Sequence, residues 1–138
     1  MFSLFLLFAS PDVSAAPPPS QDALVRAAVD SCNATQEFAE KQLVYIPLSR
    51  SASLCKGSGS LSCYFPVEEA EEMVAKLKVA RDRWERFVDL TEDFADSADG
   101  DDRTWLADLQ AQVVDPDTDR RKPIAEYEDM ASTRCELR

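Results

Sequence analysis

Apolar residues recur at steps of three and four along most of the chain, and nowhere do they alternate with polar ones over a useful strand length. From Gln21 to about Ile46 the stripe is Val25, Ala28, Val29, Cys32, Ala39, Leu43 and Ile46, with Ser20 placed as an N-cap behind the prolines at 17 to 19. Pro47 brings no N–H to continue the helical ladder, so the first helix is expected to stop there. A Ser/Gly-rich connection, Leu48 to Tyr64, follows. Pro66 marks the start of a second helix, with Glu68, Glu69, Glu71 and Glu72 set against the positive end of its dipole. Its stripe is Ala70, Met73, Val74, Leu77, Ala80, Trp84, Phe87, Val88, Thr91 and Phe94, extending as far as Ala98 before Gly100 and its acids break it. A shorter third helix carries Trp105, Leu106, Leu109 and Val113, and a last one, starting near Pro123, carries Ile124, Tyr127, Met130, Ala131 and Cys135. Long amphipathic helices with short connections predict an all-α protein, an up-and-down bundle of about four helices.

The first 16 residues stand apart from that pattern. Phe2 to Ala9 is a compact apolar run, and Val13, Ser14, Ala15 and Ala16 resemble a small-residue cleavage site. No Lys or Arg precedes the run, and Pro11 and Asp12 make it too short to cross a bilayer. The expectation is a signal-type segment, residues 1–16, removed to leave a single helical domain, residues 17–138, in an oxidising compartment. The cell exterior and a plastid lumen both fit.

That compartment decides what the four cysteines do. Cys32, Cys55, Cys63 and Cys135 show no CxxC spacing, and the chain has no histidine to complete a mixed zinc site, so two disulfides are expected. Four cysteines allow three connectivities. The bundle favours Cys55 with Cys63, inside the first connection, and Cys32 with Cys135, which would sit about 20 Å from the same end at about 1.5 Å per residue. On the chain-entropy model the short ring contributes under about 3 kcal/mol and a ring of roughly 100 residues nearer 4.7 kcal/mol.

Charge removes several function classes. With 26 acids against 15 bases the formal charge is -11, which repels a phosphate backbone and argues against nucleic acid as a partner. Lack of histidine removes the usual near-neutral acid/base group and the commonest metal ligand. No catalytic residues, cofactor or metal are expected. "DPDTDRRKPIAE" places Asp115, Asp117, Asp119 and Glu126 at ligand positions of a calcium loop, but Arg120 stands where the loop needs glycine, so an interhelical turn with Asp119 capping the last helix is the expectation. "DSADGDD", Asp96 to Asp102, is expected to be an acidic turn. "NAT" makes Asn33 a glycosylation sequon if the route passes through the endoplasmic reticulum.

Lys76, Lys78, Arg81, Arg83 and Arg86 concentrate positive charge on the second helix, interleaved with Glu85 and Asp89. Either this is a solvated face with i,i+4 pairs or a docking face for an acidic partner, with Lys78, Arg81 and Arg86 as the candidate contacts. "VARDRWERFVDL", Val79 to Leu90, followed by a polar turn and "TWLADLQAQV", Thr104 to Val113, resembles the middle of the small four-helix extrinsic proteins on the lumenal face of photosystem II, the PsbQ-like group. The resemblance covers about a quarter of the chain and implies a non-catalytic role, docking on a membrane complex and stabilising it. A protein partner is therefore expected, with no membrane span in the processed chain. The alternative is a free secreted ligand carrier or effector, which would show an apolar cavity between helices.

Overall fold

The structure, a computed structural model, describes residues 17–56, 66–116 and 122–137. Among these there are four helices and no strand: α1 (Gln21–Lys56), α2 (Val67–Asp96), α3 (Gly100–Gln112) and α4 (Ile124–Ser132). The all-α bundle expected from periodicity is present. Residues 1–16, the expected leader, lie outside the described part; Cys55, expected in the first connection, falls instead in the last turn of α1, and its expected partner Cys63 lies outside the described part, so that pairing does too.

Helix starts follow local chemistry. Ser20 Oγ accepts from the Ala23 N–H at 3.1 Å, the expected N-cap of α1. Asp99 Oδ1 accepts from the Asp102 N–H at 2.9 Å and caps α3. The acidic stretch Asp96 to Asp102 is accordingly not all turn: Asp101 and Asp102 occupy the first turn of α3, where negative charge meets the helix dipole. α4 begins after Pro123 with no side-chain cap, and Asp119, expected in that role, is outside the described residues.

Two expected boundaries are corrected. Pro47 does not stop α1, which runs on to Lys56 with Pro47 inside it. Only one ladder hydrogen bond, to the Leu43 carbonyl, is lost at a proline, and Pro47 lies on the exposed side where water can replace it. Ile46 and Ala52, buried on either side, keep the continued helix packed. Replacing Pro47 with alanine is therefore expected to raise the unfolding free energy by about 1–3 kcal/mol, read as a higher urea midpoint at unchanged m-value. The second correction is at α4, which ends at Ser132, so Cys135 stands in the non-helical segment after it.

Three ion pairs set the register of α1 against α2. Asp30 pairs with Arg83 at 3.9 Å, Glu37 with Lys76 at 3.0 Å, and Lys41 with Glu72. Steps of seven and four up α1 match equal steps down α2, as two antiparallel helices require. These side chains are 30–59% exposed, so each pair is worth about 0–1 kcal/mol and selects alignment more than it adds stability.

Two apolar clusters fill the bundle. Leu24, Ala27 and Ala28 of α1 pack with Phe87 and Phe94 of α2, with Leu106 and Leu109 of α3, and with Val113 just after it. Farther along α1, Ala34, Phe38, Ala39 and Ile46 pack with Ala80 of α2 and with Tyr127 and Met130 of α4. Gln21 reaches Asp102 at the start of α3 while Cys32 shares a niche with Gln112 at its end, so α3 runs alongside α1 in the same sense. α4 returns the other way: Tyr127 meets Gln42, and Gln36 Nε2 donates to the carbonyls of Ala131 (2.8 Å) and Thr133 (3.2 Å). Those carbonyls belong to the end of α4, where helical donors run out. Directions therefore alternate along the chain. Val74, expected in the α2 stripe, is 59% exposed because it lies on the outer side of that helix.

Cys32 and Cys135 form a disulfide with a Cα–Cα distance of 5.6 Å across a sequence separation of 103. It fastens the segment after α4 to the middle of α1. The same cysteines were the long pair favoured by bundle geometry.

Candidate functional site

The basic cluster of α2 divides in the folded protein. Lys76 and Arg83 turn toward α1 and pair with Glu37 and Asp30. Lys78, Arg81 and Arg86 are exposed. At about 100° per residue, Lys78 and Arg81 are about 60° apart around the helix, whereas Arg86 lies about 140° from Arg81. The structure thus brings two of the three candidate contacts together and leaves Arg86 on the other flank. Val67 and Val74 fall within about 40° of Lys78 on the helical wheel and are 47% and 59% exposed. Glu71, Asp82, Glu85 and Asp89 are exposed as well, so the strip mixes apolar, basic and acidic groups.

A second feature was not foreseen. Phe38, Gln42, Tyr45 and Ser49 of α1, Met73 and Leu77 of α2, and Tyr127 of α4 line a cleft of about 310 Å³. Phe38 and Tyr127 meet edge to face, with ring centroids 6.2 Å apart and planes at 83°. The Tyr127 hydroxyl accepts from Gln42 Nε2 and from the Lys122 N–H, both at 3.4 Å. Gln42 is buried, and its Oε1 has no hydrogen-bond partner. One signal for this site was present in the chain: Gln42 sits in the inward series Thr35, Phe38, Ala39, Gln42, Ile46, where an apolar residue belongs. Ser31 and Thr35 interrupt the same face, and their hydroxyl oxygens are also buried without partners.

No protein-family model, curated protein or solved structure matches this chain, so its function has to be read from its own geometry.

Other candidate sites look as follows. Among the described residues no group of three or more His, Cys, Asp or Glu side chains could hold a metal ion. Asp115 and Glu126 flank residues 117–121, which lie outside the described part, and Glu126 faces Lys122 at 3.9 Å. Asn33 is exposed on α1, while Thr35, the third residue of its sequon, is 4% exposed. No described helix is long and apolar enough to cross a membrane.

Proposed function

We propose that this protein is a non-catalytic binding protein, an extrinsic subunit that docks on an acidic surface of a membrane-associated complex through the outer strip of α2 centred on Lys78 and Arg81. The lumenal face of a photosystem is the form of complex that the sequence resemblance implies. The observation that carries this reading is the exposure of Lys78 and Arg81 beside exposed Val67 and Val74 on a chain of net charge -11. The exposed valines offer a protein partner contact area, and Lys78 and Arg81 offer its acids individual charge contacts among Glu71, Asp82, Glu85 and Asp89.

The test is recovery of the assembly from the native cell across a salt series. Lys78→Glu with Arg81→Glu is expected to lower co-purification severalfold at low salt and to leave the unfolding midpoint nearly unchanged, since exposed charges contribute about 0–1 kcal/mol each. Arg86→Glu alone is expected to have a smaller effect, because it projects from the other flank. Equal recovery of the double variant and the wild type at every salt concentration would mean that the strip is only solvated.

The cleft between α1, α2 and α4 favours a second reading, a free ligand carrier in an oxidising compartment. Its volume is at the lower end of the range of about 300–1,000 Å³ usual for small-molecule sites, and its lining combines apolar and aromatic walls with few polar groups. A carrier would be recovered free of any membrane fraction.

A further inference from the structure

We propose that the cleft between α1, α2 and α4 takes a neutral, hydroxyl-bearing aromatic molecule of the alkylphenol class, whose O–H donates to Gln42 Oε1. This inference rests on the reading of the protein as a ligand carrier and adds the chemistry of the ligand. Three observations select that chemistry. First, the lining residues, Phe38, Gln42, Tyr45, Ser49, Met73, Leu77 and Tyr127, include no charged side chain, so nothing there offsets the cost of desolvating an ion. The net charge of -11 further disfavours an anion.

Second, the walls suit an aromatic ring. The buried edge-to-face pair of Phe38 and Tyr127 closes the cleft from below, while part-buried Tyr45 and Leu77 supply an aromatic and an aliphatic wall and Met73 a flexible, polarisable side chain that adapts to a flat guest. Third, Gln42 supplies an unmet demand. Its amide nitrogen is engaged by the Tyr127 hydroxyl, but its Oε1 is closed off from solvent and accepts from nothing. A buried acceptor without a donor is costly, and a guest that brings a donor removes that cost. The final torsion of a glutamine is broad, so the carboxamide is free to turn Oε1 toward a guest as it binds. A hydroxyl is the smallest uncharged donor an aromatic molecule can carry there.

The experiment uses the intact, oxidised protein with two probes of nearly equal shape, 4-ethylphenol and its methyl ether, 4-ethylanisole. Calorimetry gives the affinities, and the methyl resonance of Met73 reports whether the cleft is the site. The phenol is expected to bind at least about tenfold more tightly than the ether, because only the phenol donates. Both are expected to shift the Met73 resonance. In Gln42→Met, which keeps the side-chain length and removes the acceptor, the preference for the phenol is expected to vanish while the ether binds as before. Equal affinity of the two probes for the wild-type protein overturns the assignment to Gln42 and leaves a carrier of apolar molecules. A preference retained in Gln42→Met likewise overturns it. Absence of any Met73 shift with either probe overturns the carrier reading itself. The wild-type comparison decides the matter even where the variant fails to fold.

Discussion

Oxidised protein in which both Cys32 and Cys135 are replaced by alanine is expected to unfold with about 4 kcal/mol less free energy than the wild type, and to melt on the order of 10–20 °C lower. The reason lies in the unfolded chain. Joining residues 103 apart removes much of the freedom the denatured chain would gain, and on the chain-entropy model a ring of that size is worth about 4.7 kcal/mol. Bridges often deliver less than this model value, while the small void that alanine leaves where the buried Cys32 sulfur was adds to the loss. A second readout separates the two contributions. Loss of a cross-link lets the denatured state expand, so the urea m-value should rise as well as the midpoint fall, whereas a packing defect alone would leave m unchanged. A variant with wild-type midpoint and m-value would show that the bridge contributes nothing to folding.

Phe87→Ala is the second large effect, at about 3–5 kcal/mol. Phe87 is 1% exposed at the junction where α1, α2 and α3 share a cluster, between Leu24, Ala28, Phe94 and Leu109, with Trp84 stacked at a tilt 5.9 Å away. Its removal opens a void that three helices bound, and none of them can shift into it without disturbing its other contacts. Val74→Ala on the same helix is the control: that side chain already faces water, and its loss should stay within about 0.5 kcal/mol. Urea unfolding of both variants checks the contrast. Since a domain of this kind is stable by only about 5–15 kcal/mol, combining Phe87→Ala with loss of the bridge is expected to leave it marginally folded.

Periodicity made α2 legible nearly to the residue, because its inward positions, Ala80, Phe87, Thr91 and Phe94, keep the three-and-four spacing throughout. Proline misled at α1. A rule about backbone donors identifies the bond Pro47 removes, but it does not weigh that loss against the packing of Ile46 and Ala52 on either side. The α1–α2 register was out of reach for a different reason. Many acids and bases on the two helices could have paired, and only the folded alignment shows that Glu37 meets Lys76 and not one of its neighbours. This also explains why five bases looked like one cluster: two of them have partners 39 or more residues away in the chain. The cleft is the least legible feature, since its walls come from three helices and its polar element, Gln42, resembles a misplaced core residue until Tyr127 is seen beside it.

The bridge between Cys32 and Cys135 also changes how the molecule bears load. A pull transmitted along the backbone from either side reaches Cys32, crosses the sulfur atoms and leaves through Cys135, so the chain between them carries no tension. Stretched out, a separation of 103 residues at about 3.4 Å each would yield roughly 350 Å of slack. With the sulfurs joined that slack is locked away, and α2, α3 and α4 are shielded from force while the first turns of α1 give way alone. Reduction would convert the same molecule from a short, stiff tether into a long, extensible one.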